Sequence, residues 1–256
     1  IDKMGRSKGM QRYFTDQMIQ AKVSFSIAGD NFHHLVRVMR AKVNDQAEFV
    51  SKKHEVFIGK IERIDPQEAH IMPIYQLEKS AELPVEVTIA CGISKGDKSE
   101  YIVQKGTEMG ARNFIFLPTE FSVARWPEKK VTRKVERLQK VAKSAAEQSH
   151  RNYIPTVTYY NDLQTLSKWP GKFKIVAYEE SAKHGEHTQL HAQIGKMQPN
   201  DTALVLFGPE GGLANSEVES LRDVGFVSVG LGPRILRAET APLYLLSAIS
   251  VLKEMR

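Results

Sequence analysis

A single cysteine and the absence of any apolar run near the roughly 20 residues of a membrane span set the first limits on this 256-residue chain. Cys91 has no partner for an internal disulfide, which points to a reducing compartment, the cytoplasm. Inside the strand-like run "VEVTIAC" it reads as a small buried hydrophobe; the other role open to a lone thiol is that of a nucleophile. No charged-then-apolar leader opens the chain. Histidines and carboxylates do not gather at ligand spacing: "HEVFIGK" and "NFHHLV" lack the His-x-x-x-His of zinc proteases, so no metal is expected. The glycines never spell G-x-G-x-x-G and no G-K-[ST] occurs, which weighs against nucleotide-phosphate binding.

What is present is an ordinary globular composition, 41% apolar and 26% charged, in a chain long enough for one large or two smaller domains. The net charge of +6 is uneven. Residues 92–151 hold 13 Lys/Arg against 7 Asp/Glu, whereas residues 152–256 hold 10 against 11. A polyanionic partner and a solvated helix face both fit such a bias. The opening "IDKMGRSKG", residues 1–9, reads as an appended remnant before a natural start at Met10.

Two textures follow. Over 10–74, short β-like runs ("KVSFSI", "QAEFVS", "EVFIGKIERI", "EAHIMPI") surround one helical piece, "DNFHHLVRVMR", with Asp30 as its expected N-cap. This is expected to form a small β-barrel with one helix, followed by a polar linker over 75–84. Over 85–256, strands alternate with helices. "VEVTIAC" leads to a helix over 98–109, with Asp97 and Glu100 as a capping box and Gly110 as its stop. "NFIFLP" precedes a helix over 131–148 whose Val131, Val135, Leu138, Val141, Ala142 and Ala145 fall at helical spacing. "FKIVAYE", "TALVLFG" and "FVSVGLG" are further strands, and a last helix is expected from about Thr240. Such alternation predicts an α/β domain, a mostly parallel sheet with helices on both faces.

Ligands of open parallel sheets collect outside the carboxyl ends of the strands. Three loops stand there: "AYEES" after Tyr178, "FGPEGGLANSEVE" after Phe207 and "LGPRILRAET" after Leu231. In the second, Glu210 would repel a phosphate, and a capping box of Ser216 with Glu219 is expected to occupy the next helix N-terminus, so a neutral or cationic ligand suits it better. A tight turn without ligand also explains "GPEGG". In the third, Arg234 and Arg237 flank Ile235 and Leu236 ahead of an apolar helix, more charge than a turn requires, although salt bridges to Glu239 or Glu210 would account for it.

"FGPEGG", followed about twenty residues later by "LGPRILRAETA", resembles the RsmE family of S-adenosylmethionine-dependent 16S ribosomal RNA methyltransferases in the SPOUT superfamily. "MQRYF", "HHLVRVMR", "KGDKSEYIVQKGTEMG" and "AAEQSHRNYIP" extend the likeness over nearly the whole chain; "ARWPEKK" departs from the family's basic segment. The resemblance implies a PUA-like β-barrel joined to a trefoil-knotted, parallel-sheet methyltransferase domain. It implies methyl transfer from S-adenosylmethionine to N3 of one uridine in the decoding region of 16S RNA, within the 30S subunit. Backbone groups of Leu231, Gly232, Ile235 and Leu236 would hold the adenine in an apolar slot, and Pro233, Ala238, Thr240 and Ala241 would also belong to the cofactor site. Gly208, Pro209, Gly211 and Gly212 would let the main chain approach the ribose and methionine portions, Glu210 would sit near the sulfonium, and Tyr178, Glu179 and Phe207 would also belong to the cofactor site.

On that resemblance Glu239 is a candidate general base, with helix capping beside Thr240 as its competing role, and Arg234 or Arg237 would stabilise charge on the uracil oxygens. Arg12, Arg37, Arg40, Lys105, Arg125 and Arg151 would contact RNA phosphates. The last helix, apolar at Leu243, Tyr244, Leu246 and Val251 on more than one face, fits a homodimer through the knot region. A non-catalytic RNA-binding module and an NAD-type oxidoreductase are the rival readings; the second lacks the glycine fingerprint and its acidic residue.

Overall fold

Two different hydrogen-bonding patterns divide the chain. The computed structural model describes residues 9–78, 80–178 and 188–255. Its residues cluster into a first unit, 1–81 with 147–153, and a second, 82–146 with 154–256.

The first unit is a five-stranded sheet: β1 (Arg12–Phe14), β2 (Phe25–Ala28), β3 (Gln46–Val50), β4 (Val56–Ile64) and β5 (Glu68–Leu77), in the order β1-β3-β4-β5-β2. Register shifts between Ile58 and Gly59 and between Ile61 and Arg63 mark β-bulges, which bend and twist a strand. Tyr13, Phe25, Phe32, Leu35, Phe49, Phe57 and Ile71 form its core. Helix α1 (Gly29–Phe32) runs directly into a π-helical stretch, His33–Val38. Asp30 is therefore not the N-cap; Ala28 holds that position and Asp30 sits in the first turn.

The second unit is a six-stranded, wholly parallel sheet: β6 (Glu86–Gly92), β7 (Asn113–Leu117), β8 (Thr156–Tyr159), β9 (Phe173–Ala177), β10 (Thr202–Phe207) and β11 (Val227–Val229). The helices are α2 (Lys98–Glu108), α3 (Glu128–Gln148), α4 (Gln189–Lys196), α5 (Asn215–Asp223) and α6 (Ala241–Lys253). Alternation along the strands splits the core into two layers. Val87, Ile89 and Cys91 of β6 and Val205 and Phe207 of β10 face one side, with Leu245, Leu246 and Ile249 of α6. Ala90, Leu204 and Leu206 face the other, with Val218 and Leu221 of α5.

Strand order is β11-β9-β10-β6-β7-β8, so the direction of winding reverses between β6 and β10. A crevice opens at the carboxyl ends of the strands at such a point. There the loop after β10 leans on the end of β6 so closely that a Cβ on Gly92 would come within 2.5 Å of Pro209 Cδ.

Two expected caps are absent. Asp97 precedes α2 without a side-chain cap bond, and Glu100 pairs with Arg137 at 2.9 Å instead. Helix α5 starts at Asn215, one residue before Ser216. Its end is closed by Glu217, whose Oε2 accepts from the Ala214 amide at 3.0 Å and whose Oε1 accepts from the Glu120 amide at 2.8 Å. Ser216 and Glu219 form no cap.

Candidate active site

The ends of β9, β10 and β11 and the start of α2 enclose a cleft of about 1330 Å³. It is lined by both late loops: Phe207, Gly208, Pro209, Glu210, Gly211 and Gly212 from one, Leu231, Gly232, Arg234, Ile235, Leu236, Arg237 and Ala238 from the other. Ala177, Tyr178 and Ala241 complete the part expected from sequence.

Local geometry makes these loops dense. A Cβ on Gly208 would lie 2.8 Å from the Gly212 carbonyl carbon, and one on Gly211 would lie 2.9 Å from Phe121 Cβ. Gly232 has φ +93°, a conformation that strains any L side chain. Tyr178 is fixed at the rim by donating its hydroxyl proton to Asn215 Oδ1.

The charged centre was not foreseen. Lys98, the first residue of α2, sets its Nζ 2.9 Å from Glu210 Oε1 and 3.3 Å from Glu239 Oε2. The Lys95 amide also donates to Glu210 Oε1, at 3.2 Å. Burial pushes the Glu210 carboxyl up, but the hydrogen bonds from Lys98 and the Lys95 amide override it and hold the group below the usual carboxylate range. The bond to Glu210 likewise holds the Lys98 ammonium above its ordinary range, against burial, with Glu239 adding to the effect. Glu239 Oε2 is buried, and its ion pair with Lys98 has no hydrogen-bond alignment.

The structure thus brings together most of the residues chosen from sequence. Pro233, Glu239 and Thr240 do not line the cleft, Glu179 lies outside the described residues, and "AYEES" is described only to Tyr178. Thr240 occupies the N-cap position of α6 without a side-chain cap bond. Sequence reasoning missed Lys98, Asn215, Glu219 and Arg222, all on the cleft wall. The signal for Lys98 was its place at the first helix start after β6, on the same side of the sheet as the late loops.

Two expected RNA contacts need correction. Arg12 and Arg151 are only 6% and 1% exposed. Arg12 Nε meets Glu48 Oε2 at 2.7 Å, and its Nη1 donates to the carbonyls of His150 and Arg151 at 2.6 and 3.0 Å. A guanidinium so enclosed is structural. Arg37, Arg40 and Arg125 are exposed, and Lys105 is half-buried and paired with Glu108 at 2.9 Å. Among the described residues one trio of metal-ligating type occurs, Asp65 on the β4–β5 turn with Glu68 and His70 of β5; Arg63 Nη2 already lies 2.9 Å from Asp65. Among the described residues no helix is long and apolar enough to cross a membrane.

A parallel α/β unit with its cleft at the winding reversal, preceded by a small β unit, is the architecture of RNA methyltransferases with a PUA domain. Comparison with known sequences agrees: residues 81–250 match the profile of an RNA methyltransferase domain and residues 27–73 that of an RNA methyltransferase PUA domain. Ribosomal RNA small subunit methyltransferase E of Bacillus subtilis (strain 168) is 43% identical over 96% of this chain and 98% of its own. The chain belongs to the ribosomal RNA small subunit methyltransferase E family. Among solved structures, one described only as a hypothetical protein is 40% identical, with a TM-score of 0.88 over 96% of this chain and 99% of that one. The family's protein from Neisseria gonorrhoeae, solved bound to S-adenosyl methionine, is 24% identical and shares the fold, with a TM-score of 0.82 over 95% of this chain and 98% of that one.

Proposed function

We propose that this protein transfers a methyl group from S-adenosylmethionine to N3 of a uridine in the decoding region of 16S RNA, acting on the small subunit in the cytoplasm. The observation that carries the reading is the cleft itself, where one wall is apolar and the other holds a carboxylate able to face a cation. Leu231, Ile235, Leu236, Ala238 and Ala241 offer the adenine an apolar slot. The close-packed glycines Gly208 and Gly211, with Gly212, would let the main chain approach the ribose and methionine portions. Glu210, kept ionised by its hydrogen bonds, suits the neighbourhood of a sulfonium.

The bound cofactor supplies an activated methyl group on a positive sulfur. Every other requirement falls on the chain. N3 of uridine lies on the pairing edge, so the base must be unpaired or flipped into the cleft. The N3–H proton is lost, the N3–methyl bond forms, and the carbon–sulfur bond breaks with its electron pair left on sulfur. Arg234 and Arg237 line the cleft and would stabilise charge on the uracil oxygens. Arg37, Arg40, Lys105 and Arg125 would hold RNA phosphates. The trefoil threading of the superfamily is part of this reading. So is a homodimer through α6, on which Tyr244 and Val251 remain exposed.

Methylation of 30S subunits from a strain lacking the activity, followed by mapping of the modified nucleotide, tests the proposal. Label on N3 of a single uridine is expected; label on a cytidine or a ribose hydroxyl refutes it.

A further inference from the structure

Glu239 was a candidate for taking the N3 proton, with helix capping as its competing role, yet the structure engages its carboxylate with Lys98 instead. Its Oε2 is buried toward Lys98, and the side chain does not line the cleft. Lys98 does line it. The amine is held from two sides: by Glu210 at 2.9 Å from the loop after β10, and by Glu239 at 3.3 Å from the loop after β11. Two carboxylates on one ammonium fix a long, flexible side chain in a single direction, and pre-set direction is what makes a charge useful to a reaction.

We infer that Lys98 is a catalytic residue that stabilises the uracil anion, and that Glu239 and Glu210 are positioning residues which hold it there. This rests on the proposed uridine-N3 chemistry. The N3–H group is an imide, acidified by the two carbonyls beside it, so its conjugate base carries its charge on O2 and O4. Four cations line the cleft, Lys98, Arg222, Arg234 and Arg237, and the first of them is the one held in place by two carboxylates. With the anion so stabilised, the N3 proton leaves to water and no carboxylate base is needed. The electron pair freed on N3 forms the bond to the methyl carbon as the carbon–sulfur pair passes to sulfur. The arrangement also explains why a site that loses a proton keeps its carboxylates bound to an ammonium.

The test uses the full chain in single-turnover transfer to small subunits reconstituted with 16S RNA carrying uridine or 5-fluorouridine. Fluorine acidifies N3–H, so it substitutes for missing anion stabilisation. Lys98→Met is expected to lower the transfer rate by about 100-fold, the scale of losing one preorganised donor. Affinity for S-adenosylmethionine, measured by calorimetry, stays within about threefold, because the interaction arises as charge develops on the acceptor. The 5-fluoro substrate recovers at least tenfold of the Lys98→Met rate while changing the unsubstituted enzyme little, and Lys98→Arg recovers part of it on uridine. Glu239→Gln loses less than Lys98→Met, and the double variant is no slower than Lys98→Met alone. The assignment is overturned if 5-fluorouridine speeds both enzymes equally. It is also overturned if Glu239→Gln is the slower variant and its loss adds to that of Lys98→Met. Absence of any transfer by the unsubstituted enzyme would instead sink the function itself, a separate result.

Discussion

Replacing Glu48 by alanine should destabilise the first unit more than any surface change can. Glu48 and Arg12 have side chains only 2% and 5% exposed, 2.7 Å apart, and His150 Nδ1 meets the same carboxylate oxygen at 2.7 Å. Removing one partner of such a pair strands the other charge in a poorly solvated place, at a cost of about 3–5 kcal/mol. The carbonyls of His150 and Arg151 continue to accept from Arg12, so the lower end, about 3 kcal/mol, is the expected value. For a unit of this size each kcal/mol is worth about 4–8 °C, so the loss corresponds to at least about 12 °C. Hydrogen exchange of the β1 and β3 amides in the intact protein, with and without urea, measures it. Burial alone would raise the Glu48 carboxyl, but its hydrogen bonds and charge contacts with His150 and Arg12 outweigh that and hold it below the usual range. The stabilisation is therefore complete above about pH 4.3, the unfolded glutamate value, and is lost as pH falls through the lower folded value. Glu48→Ala should remove that part of the acid sensitivity. A double change, Arg12→Met with Glu48→Leu, should cost far less than the single one. Protection of β3 reduced by under about 1 kcal/mol in Glu48→Ala, within the range of an exposed pair, would refute the argument.

Gly208→Ala forces a Cβ to within 2.8 Å of the Gly212 backbone, so the loop must shift, and should weaken S-adenosylmethionine binding at least tenfold in calorimetry. Arg37→Ala and Arg40→Ala should each reduce the salt-dependence slope of RNA binding by about one, the change expected for loss of the single phosphate contact proposed for each. Arg12→Ala should instead lower stability. Cys91 is buried and burial pushes its thiol up, so a thiol reagent should fail to modify the native protein and react only on denaturation.

Much of the second unit was legible because its signals are local. The apolar spacing of Leu138, Ala142 and Ala145 and the unbroken runs of β6 and β10 need no knowledge of neighbours to be read. Short elements were not legible: β1, with three residues, and β8, with four, are strands because of what pairs with them, β3 and β7. Charge was the least legible of all. An arginine looks the same in a sequence whether it faces phosphate, as expected of Arg12, or a buried glutamate 36 residues away, as found. Neither expected capping box formed: Glu100 found a long-range partner in Arg137, and at the other helix Glu217, two residues before the expected Glu219, took the capping role while also accepting from the distant Glu120 amide, which no fixed spacing could announce. The late loops were legible because their glycines and arginines crowd unusually; Lys98 was not, because a lysine opening a helix is commonplace until two acids from other loops close on it.

The seven-residue piece at 147–153 that joins the first unit has a consequence for how the protein is made. A ribosome delivers Arg12 and Glu48 early, but the His150 and Arg151 carbonyls that Arg12 needs come 138 and 139 residues after it. At about 5–20 residues per second that is a wait on the order of ten seconds. During it the nascent β strands carry a guanidinium and a carboxylate without their later partners, so the unit that starts first cannot finish until well over half of the chain has emerged. A gene fragment ending at residue 81 would leave it in that unfinished state, and a stable excised version must carry the 147–153 piece with it.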